Sequence, residues 1–206
     1  MIRNLLEKLR PYSPIRVSDT FWEKRYSDGA WDRLRAVEEL GRYSLIAGYA
    51  RFFSEGGSVL DVGCGEGILY EKLCQGDCSR YLGIDISTVA IAKARVRDAE
   101  RHRFLAARIE DFGTDEKFDV IIFNECLYYM EDPVGTLRHY EGFLAENGVF
   151  IVSMHSTAKS MKIWKRVDGQ YRIRDAVSVT NLKGVCWVIK ALEGKAQDPG
   201  SPCLPS

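Results

Sequence analysis

Residues Val59 to Leu69 read VLDVGCGEGIL. A short apolar run ends at Asp61, and Gly63, Gly65 and Gly67 follow at every second position. A buried strand that runs straight into a glycine turn and then a helix opens the βα units that bind nucleotides. The stretch therefore predicts an α/β fold and raises the question of which ligand the turn admits.

The chain on either side has the texture of repeated βα units. SVLDVG, YLGIDI, FLAARI, the apolar part of FDVIIFNECLYY, and GVFIVSMH read as five successive strands. ILYEKLCQ, TVAIAKARVRDAE and PVGTLRHYEGFLAEN read as the helices between them, and residues 156–175 as a short connection. DAVSVTN and GVCWVIKAL read as an antiparallel pair closing at residues 181–184. Strands alternating with helices imply right-handed crossovers and a mostly parallel sheet. The expected fold is a Rossmann-like, mostly parallel seven-stranded sheet with an antiparallel C-terminal strand and helices on both faces.

Residues 1–54 are expected to form an N-terminal helical lid within the same domain, 55–193 the ligand-binding core, and 194–206 a disordered tail. Residues 19–54 read as two helices that break near Ser27-Asp28-Gly29, with Asp19 or Thr20 capping the first and Asp28 the second. Trp31, Leu34, Val37, Gly41, Leu45, Gly48 and Phe52 recur at helical spacing and predict the buried face of the second.

Bulk properties narrow the function. Lys+Arg and Asp+Glu balance at 29 each, which disfavours long nucleic acid as a partner. No apolar run approaches the roughly 20 residues needed to span a bilayer, so no membrane partner is expected. Six cysteines without paired Cys-x-x-Cys spacing, and three histidines, predict no metal site and reduced thiols in a cytoplasmic protein. In such sheets, ligands bind beyond the carboxyl ends of the strands.

The turn itself is G-x-G-x-G, not the dinucleotide G-x-G-x-x-G, and no Gly-Lys-Ser/Thr follows it. Asp61 and Glu66 flank it, with no neighbouring lysine or arginine to meet a phosphate. Carboxylates repel a pyrophosphate but suit an amino group and a sulfonium. Asp85, 22 residues after Gly63 at the end of the second strand, suits both hydroxyls of a ribose. These features favour a nucleoside without phosphates over a nicotinamide dinucleotide.

VLDVGCGEGIL, YLGIDIS, FDVIIFNECLYYMEDP and LAENGVFIVS resemble, in that order, successive motifs of the class I S-adenosylmethionine-dependent methyltransferases. The likeness covers about residues 55–155 and looks closest to the small-molecule branch that includes nodulation N-methyltransferases and natural-product tailoring enzymes. It implies S-adenosylmethionine as cofactor and roles at matching positions. Asp61 and the backbone of Asn124 would meet the methionine amino group, and Gly63, Cys64 and Gly65 would pass against the methionine and ribose. Asp85 would hold the ribose, while Ile86, Ile109 and Glu110 would border the adenine. Tyr26, with Trp22 and Trp31, lies where this branch places a lid.

Many relatives carry a histidine where this chain has Tyr129. Tyr128 and Tyr129 read equally as core aromatics or acceptor contacts, and His155 as a loop histidine or an acceptor contact. The expected activity is methyl transfer to a nitrogen or oxygen of a small-molecule acceptor, with Tyr129 or His155 touching it. A methyltransferase acting on protein or RNA, or a non-catalytic cofactor-binding subunit, stands as the alternative.

Overall fold

The computed structural model describes residues 17–73 and 78–193. The expectations for the first sixteen residues and for the tail fall outside that range. Seven strands form one sheet in the order β3-β2-β1-β4-β5-β7-β6. They are β1 (Ser58–Val62), β2 (Arg80–Asp85), β3 (His102–Ala106), β4 (Phe118–Asn124), β5 (Leu144–His155), β6 (Arg172–Thr180) and β7 (Cys186–Glu193). β1 lies between β2 and β4 in parallel, β3 and β5 extend the parallel set, and β7 runs antiparallel between β5 and β6.

The central strands are apolar on both faces because helices cover both. Leu60, Val62, Ile121, Phe123, Phe150 and Val152 point into one core layer. Val59, Val120, Ile122, Val149 and Ile151 point into the other. This alternation with two buried sides explains why these strands read as continuous apolar runs. Helices α2 (Val37–Ser54), α3 (Ile68–Leu73) and α4 (Thr88–Ala94) cover one layer; α5 (Pro133–Glu141) and α6 (Ala158–Asp168) cover the other.

Four local expectations need correction. Ser18, not Asp19 or Thr20, caps helix α1 (Asp19–Ser27), its hydroxyl accepting from the Phe21 N–H. The second helix starts at Val37 rather than after Asp28, because Gly29 takes φ +66° and residues 32–35 form a 3-10 turn. Its buried face also differs from the expected stripe: Val37 and Phe52 are 76% and 72% exposed, while Tyr43, Ile46, Ala47 and Ala50 are buried with Glu39 and Arg42. A mutually neutralised ion pair takes the first turn of that face, which an apolar pattern cannot register. Finally, LAEN belongs to β5 rather than to the preceding helix, with Leu144 paired to Phe118 and a register shift before Val120.

The expected connection at residues 156–175 contains α6. Thr157 opens it with a capping box, its side chain accepting from the Ser160 N–H while Ser160 Oγ accepts from the Thr157 N–H. Ile163, Trp164 and Val167 form its buried face. Lys190 from β7 lies 4.6 Å above the Trp164 ring and 2.6 Å from Asp168, so one lysine ties the helix to the sheet. Trp164→Ala should therefore cost about 3–5 kcal/mol of unfolding free energy, read from urea denaturation at fixed pH. A loss below about 1 kcal/mol would mean that α6 does not contribute to the core.

Candidate functional site

The carboxyl ends of β1, β2 and β4 open into a cavity of about 930 Å³ roofed by α1. Every site residue expected from the sequence lines it: Tyr26, Asp61, Gly63, Cys64, Gly65, Asp85, Ile86, Ile109, Glu110, Asn124, Tyr129 and His155. The parallel sheet brings these dispersed segments to one rim.

The glycine turn is fixed from both sides. Gly63, Gly65 and Gly67 have φ of 72°, 55° and 77°, values that disfavour a side chain. The Gly63 and Cys64 N–H groups donate to the Ile84 carbonyl, and the Gly65 N–H donates to Asp85 Oδ2 at 2.9 Å. A Cβ on Gly65 would lie 2.8 Å from the Tyr26 hydroxyl, so Tyr26 of α1 rests directly on the turn. The other Asp85 oxygen accepts from the Ser87 N–H. Burial pushes Asp85 up to about 6 despite these bonds.

Asp61 is fully buried. Its Oδ2 accepts from the Tyr81 hydroxyl at 2.6 Å, whereas Oδ1 is buried without a hydrogen-bond partner. Burial pushes its carboxyl up to about 7. A carboxylate oxygen left without a donor beside a glycine turn is poised to accept from a ligand.

Two features were not legible as charge in the sequence. Glu66 does have a cation nearby in space: Lys93 Nζ lies 2.6 Å from it and also donates to the Tyr26 carbonyl at 2.7 Å. That lysine pins the turn and α1 together without lining the cavity. The Ile109 carbonyl already accepts from the Tyr140 hydroxyl at 3.0 Å, which fixes the adjacent wall.

At the far end, the structure adds residues that the sequence reading passed over. Arg42, 2% exposed, donates to Glu39 through Nε and Nη2 and to Asn124 Oδ1 through Nη1. Glu125, the residue after β4, takes φ +60°. Its Oε2 accepts from the Tyr128 hydroxyl at 3.0 Å, and its Oε1 is shielded from water without a partner. Burial pushes Glu125 up to about 7, against the pull of Arg42. The rule that ligands gather beyond strand ends selects the segment that contains Glu125 without giving it a role; nothing in the sequence announces its left-handed backbone. Tyr129 stacks edge-on to Trp22 at 4.9 Å and lies 4.7 Å from the Tyr128 ring. His155 is exposed at the end of β5, its ring 6.2 Å from that of Trp187.

A family model described as a methyltransferase domain matches residues 53–194. A ubiquinone biosynthesis O-methyltransferase from Neisseria meningitidis is 30% identical over 152 residues, 70% of this chain and 61% of that protein. Nodulation protein S from Sinorhizobium fredii is 38% identical over 117 residues, 54% of this chain and 53% of that protein. The chain thus spans 61% of the length of the first of these relatives. Among solved structures, a nodulation N-methyltransferase from Bradyrhizobium japonicum in complex with S-adenosylhomocysteine superposes with a TM-score of 0.72 at 21% identity, covering 86% of this chain and 98% of that one.

The buried carboxyls set a pH dependence. Asp61, Asp85 and Glu125 sit above their unfolded values, roughly 3.9 for Asp and 4.3 for Glu. Between those values and about 7 the folded chain holds more protons than the unfolded chain, so stability falls as pH rises. Glu23 has the opposite sign: although burial opposes it, hydrogen bonds from Ser87, Thr88 and Val89 hold it down to about 2, so its contribution changes only at lower pH. The melting midpoint without ligand should therefore drop by several degrees from about pH 5 to about pH 7.5, and Asp61→Asn should flatten part of that slope. A midpoint that rises across this interval would mean the carboxyls are ionised and compensated.

Proposed function

The chain belongs to the methyltransferase-domain family, and on that premise we propose that it transfers a methyl group from S-adenosylmethionine to a nitrogen or oxygen of a small molecule. The observation that carries the reading is the donorless, buried Oδ1 of Asp61 beside the glycine turn, in a cavity lined, among the described residues, by seven acidic side chains, three arginines and no lysine. An amino group and a sulfonium satisfy such a site; the pyrophosphate of a nicotinamide dinucleotide would meet net negative charge. The S-adenosylhomocysteine bound by the nodulation N-methyltransferase of the same fold supports the same choice.

The donor set fits this cofactor residue by residue. Asp61 Oδ1 and the Asn124 backbone would take the methionine amino group, and Gly63, Cys64 and Gly65 would let the backbone approach closely. Beyond its two N–H partners and the Tyr26 hydroxyl, Asp85 keeps a lone pair that would accept from the ribose hydroxyls. Ile86, Ile109 and Glu110 would border the adenine, with Tyr26 closing over the turn. When bound, the cofactor supplies a methyl group already activated by the sulfonium charge. The protein then has to align the acceptor and exclude water, and alignment alone contributes about 7–11 kcal/mol. Tyr129, with Trp22 across it, and His155 would contact the acceptor.

Calorimetric titration with S-adenosylhomocysteine and with NAD tests this reading. Micromolar binding of the first and none of the second is expected. Asp85→Ala should weaken the first by about tenfold or more. Because Asp85 also holds Gly65, the variant's melting curve must remain cooperative for the comparison to count. No binding of S-adenosylhomocysteine by the wild-type protein would remove the methyltransferase reading and leave the fold standing.

A further inference from the structure

The half of the cavity beyond Asn124 has its own chemistry. Arg42 spends its charge on Glu39, with hydrogen bonds of 3.3 and 2.8 Å, and its remaining fork on Asn124. Tyr43 shares that guanidinium, whose charge also reaches Glu125. Glu125 keeps capacity to spare: the Tyr128 hydroxyl and the His155 N–H donate to its carboxylate and Arg42 attracts it, while its buried Oε1 makes no close hydrogen bond. Rotation about its terminal torsion can turn either oxygen to the cavity. Tyr128, Tyr129 and Trp22 meet in successive ring contacts beside it. A carboxylate flanked by aromatic rings favours a cation through both charge and ring quadrupole. A neutral hydroxyl gains little there, and a carboxylate or phosphate is repelled.

We propose that this half of the cavity is an ammonium subsite: the methyl acceptor is a primary or secondary amine that enters as its cation, is held by Glu125 among Tyr128, Tyr129 and Trp22, and gives its proton to Glu125. The inference rests on the methyl-transfer reading and names its substrate class. In the step, an N–H bond breaks and its proton goes to the Glu125 carboxylate. The freed nitrogen lone pair forms the new N–C bond as the C–S bond breaks, with its electron pair staying on sulfur. The positive charge of the sulfonium passes to the methylated nitrogen, and Glu125 later releases its proton to water. The groups facing Glu125 are Arg42 and Glu39 from α2, Tyr128 and Tyr129 from the turn after β4, and His155 from β5. Burial raises Glu125 to about 7, a range suited to proton transfer near neutrality.

The test uses benzylamine, benzyl alcohol and benzoate as probes, titrated by calorimetry at neutral pH into wild-type protein and Glu125→Gln, with and without saturating S-adenosylhomocysteine. Benzylamine should bind about tenfold or more tighter than the alcohol, and benzoate weakest. Glu125→Gln should abolish that preference while S-adenosylhomocysteine affinity stays within about threefold. Glu125→Asp, which keeps the charge, should restore part of it. Equal affinities, no amine binding, or a preference that survives Glu125→Gln would overturn the proposal. An ammonium preference without any S-adenosylhomocysteine binding would instead sink the methyl-transfer reading and spare the subsite.

Discussion

One contact organises this end of the molecule: the Asp85 carboxylate accepting the Gly65 N–H at 2.9 Å and the Ser87 N–H at 2.9 Å. Asp85 is the last residue of β2, Gly65 lies in the turn after β1, and Ser87 caps α4. A single side chain therefore sets the spacing between two neighbouring βα junctions. The turn can meet it only because residue 65 lacks a Cβ and tolerates φ +55°. A carboxylate placed this way is shielded from water and held by two backbone donors and the Tyr26 hydroxyl.

Helix α1 is attached by a different kind of force. Helix α1 buries no residue. It is held by Glu23, which accepts from the hydroxyls of Ser87 and Thr88 and from the N–H groups of Thr88 and Val89 at the start of α4. Arg108 pairs with Asp19, and Lys93 donates to the Tyr26 carbonyl. Exposed ion pairs of the Arg108–Asp19 kind contribute about 0.2–1 kcal/mol each. An element secured by such contacts, without an apolar core of its own, opens at lower free energy than the strands beneath it.

The sheet was legible because covering both faces demands continuous apolar runs, and the crossover rules then leave few topologies. The glycine turn and Asp85 were legible because each has a backbone or spacing requirement written in residue type. What escaped had no such trace. The buried face of α2 contains Glu39 and Arg42, so an apolar stripe at helical spacing selected the exposed Val37 and Phe52 instead. α6 was read as a connection, although Ile163, Trp164 and Val167 make its buried face and Thr157 and Ser160 spell its capping box. Glu125 was passed over because its role comes from a left-handed backbone and from the pairing of Arg42 elsewhere, both set by tertiary structure.

The two halves of the cavity share one electrostatic character, and this constrains the order of events. Asp61, Asp85 and Glu125 are all harder to ionise than in water because burial removes hydration from the charged form. A cationic ligand supplies the missing counter-charge, so binding and ionisation of these groups reinforce one another. The same reasoning limits what two cations can do together. A sulfonium and an ammonium brought into reacting distance repel, and low-dielectric walls strengthen that repulsion. Loss of the ammonium proton to Glu125 removes one of the two charges and frees the lone pair at the same moment. In a cavity built this way, proton transfer before methyl transfer follows from electrostatics as much as from the need for a nucleophile.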